Sequence, residues 1–249
     1  MSGHSKWATI KHKKGAADAR RGKLFAKLIR QVEVAARNGG GDPDMNPTLR
    51  TMYQKARDAS VPLDTIERAI KRGTGELEGV NYEEVTYEGY APGGVAILVE
   101  TLTDNRNRTG SDVRSSFSKL GGSMGEPGAV AWQFERKGVV LVPATVDEDE
   151  VMMAALEAGA EDVADGGEFW TVTCAASDTN TVRAALEEAG IAVESSDLSM
   201  VPTSTVELAT AEEAKPVLRL LEGLDDLDDV QNVFTNADIA DEAMAALGD

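Results

Sequence analysis

The sequence predicts an α+β protein of three domains: an N-terminal three-helix bundle followed by two α/β domains, the last of which is ferredoxin-like and inserted in the second. Three observations predict this. Helical periodicity fills the N-terminal third, strand-sized apolar runs begin after Gly79, and a β-α-β-β-α-β order follows from Gly138. The expected domains are residues 1–75, residues 80–135 with 203–249, and residues 138–201.

The first predicted helix runs from Arg20 to Arg37 and is amphipathic. At 100° per residue its apolar side chains fall on one arc, and most of its cations fall on the opposite arc. Arg21 is the exception, because it lies near the apolar side. The apolar arc contains Leu24, Phe25, Leu28, Ile29, Val32, Ala35 and Ala36.

Two shorter helices complete the predicted bundle. Asn46 is the expected N-cap of the second helix, with Pro47 at its first position, and the helix ends before Pro62. Asp64 is the expected N-cap of the third helix, and with Glu67 it forms a D-x-x-E capping box. Gly73 ends that helix.

Strands and helices then alternate along the rest of the chain. The second domain is predicted to contain the strands YEEVTYEGYA and VAILVETLT, a helix over about 109–120 and the strand AVAWQF. The insert contains the strand VVLVP, the helix DEDEVMMAALEAG, a short strand near Asp162, the strand FWTVTCA, the helix TVRAALEEAG and the strand IAVESSDLSM. The remaining segment adds a helix over 211–223 and the strand DVQNVF.

Composition excludes several classes of protein. No apolar run approaches the roughly 20 residues of a membrane-spanning helix. The charged N-terminal segment lacks the apolar stretch of a secretory signal. Cys174 is the only cysteine, which excludes an internal disulfide and a multi-cysteine metal site. We therefore expect a cytoplasmic protein with no membrane contact, metal or cofactor.

Charge is strongly polarised along the chain. The formal net charge is −18, yet residues 1–75 hold 16 Lys and Arg against 7 Asp and Glu, a net +9. Residues 76–249 hold 9 against 36, a net −27. Such asymmetry is typical of a protein that presents one basic region to a polyanion.

The N-terminal basic cluster is the first candidate site. Cations interleaved with an aromatic ring and an imidazole suit a phosphate backbone and a stackable base. The alternatives are a solvated helix face with a frayed terminus, or an organelle-targeting peptide. The candidate nucleic-acid-binding residues are Lys6, Trp7, Lys11, His12, Lys13 and Lys14 in an arm, and Arg20, Arg21, Lys23, Lys27 and Arg30 on the first helix.

A second candidate site is the segment Asp104-Asn105-Arg106-Asn107-Arg108-Thr109, between a strand end and a helix start. The guanidiniums of Arg106 and Arg108, beside free helix N–H groups, suit a phosphate or a carboxylate. Both are therefore added to the candidate nucleic-acid-binding residues, as a second point of contact on the molecule. The alternative is an ordinary turn in which Arg106 pairs with an acidic neighbour.

Other motifs do not support catalysis or metal binding. The segment around Ser123 matches G-x-S-x-G, but no histidine follows it in the sequence and a strand follows the match instead of a helix. The run Asp225-Asp226-Leu227-Asp228-Asp229 lacks the spacing of a calcium loop and is expected to be a solvated turn. Cys174 is expected in the core. These observations favour a protein that is not an enzyme.

Six motifs in order resemble the YebC/PmpR family, which has a mitochondrial translational activator as its eukaryotic relative. Two positions depart from the family pattern, with Ala91 where Gly is usual and Ala129 where Ser is usual. The motifs are GHSKWATIKHKK at 3–14, DPDMNPTLR at 42–50, AIKRGTG at 69–75, YEGYAPGG at 87–94, TDNRNRT at 103–109 and the glycine-rich stretch that ends in GAVAWQF.

The resemblance implies three domains with the third inserted in the second, and a non-enzymatic role in gene expression. Members are described as DNA-binding transcriptional regulators, and others as ribosome-bound translation factors that relieve stalling at proline-rich stretches. The expected partner is therefore duplex DNA or ribosomal RNA, the latter on the ribosome. A protein that reads duplex DNA is expected to have a recognition helix, and no clear helix-turn-helix is evident in the sequence, which slightly favours RNA. An alternative of another class is a protein-interaction scaffold whose basic arm is incidental.

Overall fold

The computed structural model describes residues 18–247, with side chains from Arg21 onward. Within that range it contains eight α-helices and ten β-strands, and the predicted α+β class is confirmed. The helices are α1 (Asp18–Gly39), α2 (Pro47–Asp58), α3 (Leu63–Gly73), α4 (Arg106–Lys119), α5 (Glu148–Glu157), α6 (Thr179–Glu188), α7 (Ala211–Asp225) and α8 (Asp241–Leu247). The strands are β1 (Glu83–Tyr90), β2 (Ala96–Thr103), β3 (Ser123–Met124), β4 (Phe134–Pro143), β5 (Ala160–Asp165), β6 (Phe169–Ala175), β7 (Ser195–Pro202), β8 (Val206–Leu208), β9 (Val230–Thr235) and β10 (Ala237–Ile239).

The first domain is the predicted three-helix bundle, and the apolar arc of α1 faces its core. Branched and small side chains let the helices approach closely, and their burial drives the packing. The buried cluster contains Leu28, Val32, Ala35, Ala36, Leu49, Ala56, Val61, Ile66 and Ala69.

The cap of α2 is as predicted, whereas that of α3 is not. Asn46 Oδ1 accepts a hydrogen bond from Leu49 N at 3.1 Å, and its Nδ2 donates to the carbonyl oxygen of Ala35 at the end of α1. Pro62, with φ fixed by its ring, precedes α3 and supplies no side-chain cap. Asp64 therefore lies inside the first turn, where it pairs with Arg68 at 3.5 Å, and the prediction that it caps the helix is wrong.

A buried carboxylate joins α1 to α3. Glu33 is almost fully buried and accepts hydrogen bonds from Arg37 Nη2 at 3.1 Å and from Arg72 Nε at 2.9 Å. The two helices touch at Gly73, where an added Cβ would lie 2.4 Å from the Glu33 carbonyl oxygen. The glycine is required there by the close crossing of the two backbones.

The second domain is built on an antiparallel sheet of order β3-β1-β2-β9. Helices α4 and α7 cover one face of this sheet, where Ile97, Val99, Phe117 and Leu220 are fully buried. A small parallel pair of strands, β8 and β10, adjoins the same core. Because β9 returns to pair with β2, the second domain contains chain from both sides of the insert.

The inserted domain has the predicted ferredoxin-like fold. Its antiparallel sheet has the order β5-β6-β4-β7, and α5 and α6 pack against it. Cys174 is fully buried in its core beside Val172, as expected. Burial raises the pKa of the Cys174 thiol and so disfavours its reactive thiolate.

Several short elements differ from the sequence-based expectation. The segment AVAWQF is not a strand, because residues 131–133 form a 3-10 turn and β4 begins only at Phe134. The short strands β3, β8 and β10 and the helix α8 were not predicted, since each is too brief to show a period. No helix between Asp18 and Leu247 is long and apolar enough to cross a membrane.

Glu88 explains why the AVAWQF segment turns. One carboxylate oxygen accepts a hydrogen bond from Gly128 N at 2.7 Å, and the other accepts from Val130 N at 2.6 Å and Ala131 N at 2.8 Å. In a strand, successive backbone N–H groups point to opposite edges, so the N–H groups of Val130 and Ala131 cannot both reach one carboxylate unless the chain turns. Burial alone would raise the pKa of Glu88, but these hydrogen bonds outweigh it and hold the pKa below the ordinary value of a glutamate.

We predict that Glu88→Gln lowers the free energy of unfolding by about 1–3 kcal/mol at neutral pH, because the amide NH₂ then faces a backbone donor in a buried site. Urea denaturation measures the change. Glu84→Gln, on the exposed part of the same strand, is the matched control and should stay within about 0.5 kcal/mol of the parent protein. Equal losses in the two variants would contradict the role assigned to Glu88.

Candidate nucleic-acid interface

The arm of the predicted interface lies outside the described residues. This applies to Lys6, Trp7, Lys11, His12, Lys13 and Lys14, and to the side chain of Arg20. Their assignment to nucleic acid stays a prediction. Arg21 is exposed near the start of α1, so the described part of the interface begins on this helix.

Lys23 and Lys27 of α1 contact the acidic turn, defined here as residues 225–229. Lys23 Nζ donates to the Asp226 carbonyl oxygen at 3.1 Å. Lys27 Nζ donates to the Asp225 carbonyl oxygen at 2.8 Å and to Asp225 Oδ1 at 3.1 Å. These carbonyls end α7, where unpaired carbonyl groups and the helix dipole attract cations.

Arg30 extends the same contact by one further turn of α1. Its Nη1 donates to the Asp228 carbonyl oxygen at 2.7 Å and lies 3.4 Å from Asp229 Oδ1. The guanidinium also stands over the ring of Tyr82, 5.5 Å from its centroid. The basic face of α1 is therefore an interface between the first and second domains.

Asp229 connects this interface to the start of α4. Its Oδ2 accepts hydrogen bonds from Arg108 Nη2 and Thr109 Oγ1, each at 2.7 Å, while its backbone oxygen accepts from Leu102 N. Burial by itself would raise the pKa of Asp229, but the bonds from Arg108 and Thr109 and the charges of Arg108 and Arg30 outweigh it and lower the pKa from its ordinary value. Asp229 thus links β2, through its backbone oxygen, with α4 and α1, through its carboxylate.

The segment 104–109 forms the other half of this junction. Asn105 caps α4, since its Oδ1 accepts from Arg108 N at 3.1 Å, and Thr103 Oγ1 accepts from Asn105 N at 2.8 Å. Arg108 also donates to Asp104 at 2.7 Å. Arg106 differs, because its side chain is 67% exposed and its one ion pair with a described side chain is with Glu83, at 3.8 Å.

The acidic turn is therefore not the solvated turn that its composition predicts. The Asp229 side chain is only 12% exposed and that of Asp225 26% exposed, whereas Asp226 remains 74% exposed. The correction has a simple physical reason: the turn follows the end of α7 and meets three cations on one face of α1. The sequence contains both partners, about 200 residues apart, and gives no signal of their pairing.

The first domain also touches the inserted domain. Lys55 of α2 pairs with Asp197 of β7, and Arg183 Nη1 of α6 donates to Asp58 Oδ2 at 2.8 Å. Between these contacts and the acidic turn lies a cavity of about 330 Å³ that is lined by all three domains. The bundle therefore bridges the second and third domains.

Within the described part of the chain, the G-x-S-x-G match at Ser123 has no histidine partner, and no metal site is formed. Ser123 lies in β3 and is exposed, and both histidines of the chain, His4 and His12, precede the described range. Among residues with described side chains, no three His, Cys, Asp or Glu groups are placed to hold a metal ion.

We predict that Asp229→Asn lowers the free energy of unfolding by about 1–3 kcal/mol at pH 7, because it removes the charge that Arg108 and Arg30 contact. The folded-state pKa of Asp229 is depressed, so this stabilisation is fully present above the ordinary pKa of an aspartate and is lost as the pH falls through the lower folded-state pKa. Urea denaturation at pH 7 and at successively lower pH should show the difference between variant and parent shrinking as the solution becomes more acidic. The control Asp226→Asn should change the free energy of unfolding little at any pH. A loss of stability in Asp229→Asn that does not depend on pH would contradict the role assigned to the ionised carboxylate of Asp229.

Comparison with known proteins finds similar proteins along nearly the whole chain. The TACO1/YebC N-terminal domain matches residues 5–76, and the TACO1/YebC second and third domain match residues 82–237. A "probable transcriptional regulatory protein" of Rubrobacter xylanophilus is 61% identical over 247 residues, which cover 98% of each chain. One of Desulfatibacillum aliphaticivorans is 57% identical over 245 residues, 98% of this chain and 99% of the relative.

A solved structure gives the same result for the fold. The crystal structure titled as a conserved hypothetical protein, Aq1575, from Aquifex aeolicus is 50% identical and superposes with a TM-score of 0.87. The match covers 96% of this chain and 98% of that one. The resemblance found in the six sequence motifs is thereby confirmed, and the chain belongs to the TACO1/YebC family, whose curated relatives are named as probable transcriptional regulators.

Proposed function

We propose that this protein is a non-enzymatic, nucleic-acid-binding regulator of gene expression that acts in the cytoplasm. The observation that carries the proposal is the separation of charge, a net +9 in residues 1–75 against −27 in the rest. Long-range attraction brings the basic end to a polyanion, and the acidic domains turn away from it. The relatives' name, probable transcriptional regulatory protein, supports the same role.

The geometry divides the cations into two groups. Lys23, Lys27 and Arg30 already contact carboxylates and carbonyls of the acidic turn. A phosphate would have to displace those partners, so these three cations chiefly fix the orientation of the first domain. The proposed phosphate contacts therefore come from the arm, through Lys6, Lys11, Lys13 and Lys14, with Trp7 and His12 available to bases.

A ribosomal RNA target is favoured over duplex DNA by the position of α1. A DNA-reading helix needs one face free to enter the major groove. The basic face of α1 is instead held against the acidic turn by Lys27 and Arg30. Recognition of phosphates and RNA shape does not need such a helix. Duplex DNA, the target that the relatives' name implies, remains the second candidate.

We predict that the double variant Lys13→Glu with Lys14→Glu weakens nucleic-acid binding about tenfold or more at near-physiological salt. Each lost contact with a phosphate should also reduce the log–log salt slope by about 0.7 to 0.9. Binding to ribosomes and to random duplex DNA, measured in direct competition, gives the affinity and the preferred target.

The matched control is Arg57→Glu with Lys71→Glu, which makes the same charge change at exposed positions of α2 and α3. A loss confined to the arm variant supports the proposal, and preference for the ribosome supports the RNA target. If arm and control variants bind equally, the nucleic-acid role is wrong and a protein-interaction scaffold becomes the better explanation. Preference for DNA would restore the transcriptional candidate.

A further inference from the structure

An open groove of about 760 Å³ lies beside α4 on the second domain. Its floor is the outer face of α4, and its wall is formed by Tyr87 and Val85 of β1. It is separate from the interface with α1, which involves Arg108 and Thr109 on another face of the helix. The function proposed above makes no use of most of these residues.

The groove is cationic although its domain is acidic. Four of the nine cations after residue 75 lie on α4, and two of them, Arg106 and Arg114, line the groove. They are eight residues apart, so they stand on the same side of the helix and about 12 Å apart along its axis. This spacing lets them reach different phosphates of one strand.

Both guanidiniums are available to a ligand. Arg114 is exposed and makes no hydrogen bond or ion pair with any described residue. Arg106 has only the 3.8 Å contact with exposed Glu83, a kind of pair that contributes little in water. Arg108, by contrast, is held by two carboxylates at 2.7 Å. The groove therefore contains two cations of this helix that have no strong partner among the described residues.

The floor between the two arginines is made of small side chains. Gly110 lies against Tyr87, where an added Cβ would be 3.3 Å from the phenol oxygen, and Ser111, Ser115 and Ser118 continue the surface. Small residues let a backbone approach closely, and hydroxyls hydrogen-bond to phosphate oxygens or to a ribose 2′-hydroxyl. An extended single strand fits such a groove better than a convex duplex does.

The groove and the interface with α1 both begin at the first turn of α4, on different sides of the helix. Asp229 contacts Arg30 of α1 and Arg108, and Arg106, two residues before Arg108, lies about 200° around the helix from it. A strand that passes over the start of α4 can therefore reach the groove from the side of the first domain.

We propose that this groove binds the phosphate backbone of a single-stranded RNA segment, as a second contact for the nucleic acid that the arm holds. The inference rests on the proposed nucleic-acid function and adds to it a site and a strand type. Arg106 and Arg114 contact phosphates, and the serine hydroxyls contact the ribose and the phosphate oxygens.

The test is the affinity of the full-length protein for a random-sequence single-stranded RNA, compared with DNA of the same sequence, over a series of salt concentrations. We expect the double variant Arg106→Glu with Arg114→Glu to weaken RNA binding about tenfold and to reduce the salt slope by about 1.4. Arg114→Gln should give a smaller loss in the same direction. Thermal melting verifies that each variant is folded.

The matched control is Lys215→Glu with Arg219→Glu, which changes the same charge at exposed positions of α7 in the same domain. If the groove variant binds RNA like this control while the Lys13/Lys14 variant loses binding, the groove proposal is wrong and the proposed function stands. If neither the arm nor the groove variant loses binding, the proposed function fails as well. Equal affinity of the parent protein for the RNA and for DNA of the same sequence would overturn the assignment to RNA, because the arginine–phosphate contacts are common to both and only the ribose contacts distinguish them.

Discussion

The carboxylate of Asp229 is the contact on which the arrangement of the first two domains depends. It is nearly buried, yet it meets Arg30 from α1, and Arg108 and Thr109 from α4. A buried acid needs several donors to remain charged, and here those donors come from separate elements. The neighbouring residues of the turn then bind Lys23 and Lys27, so a short segment holds the basic face of α1 against the second domain.

This arrangement changes what the charge distribution means. A basic segment and an acidic segment in one chain attract each other as well as attracting or repelling partners. Part of the positive charge of α1 is used internally, by Lys27 and Arg30, which are mostly covered. In the second domain, Arg106 and Arg114 of α4 remain exposed. Counting charges by segment finds the polarity of the molecule, but only contacts decide which cations remain available.

Features encoded locally were predictable, and features that join distant segments were not. The cap at Asn46, the apolar arc of α1 and the ferredoxin-like module follow from periodicity and from residues within a few positions. The turn at AVAWQF depends instead on Glu88, about 40 residues earlier, which collects its amides. The docking of the acidic turn, about 200 residues from α1, likewise has no local signature. The candidate residues of the arm lie outside the described part of the chain, so their roles stay predictions.

The position of the insert has a consequence for how the chain can fold. Its first strand, β4, starts where its last strand, β7, ends, because Phe134 is paired with Pro202. The next residues remain adjacent, with Thr203 N donating to the Gln133 carbonyl oxygen at 2.8 Å. The entropic cost of closing a loop depends on bringing its ends together, and a folded insert has already done so. To the second domain, the complete third domain is then equivalent to the connection of a hairpin, and β9 can find β2 as if the two segments were close in sequence.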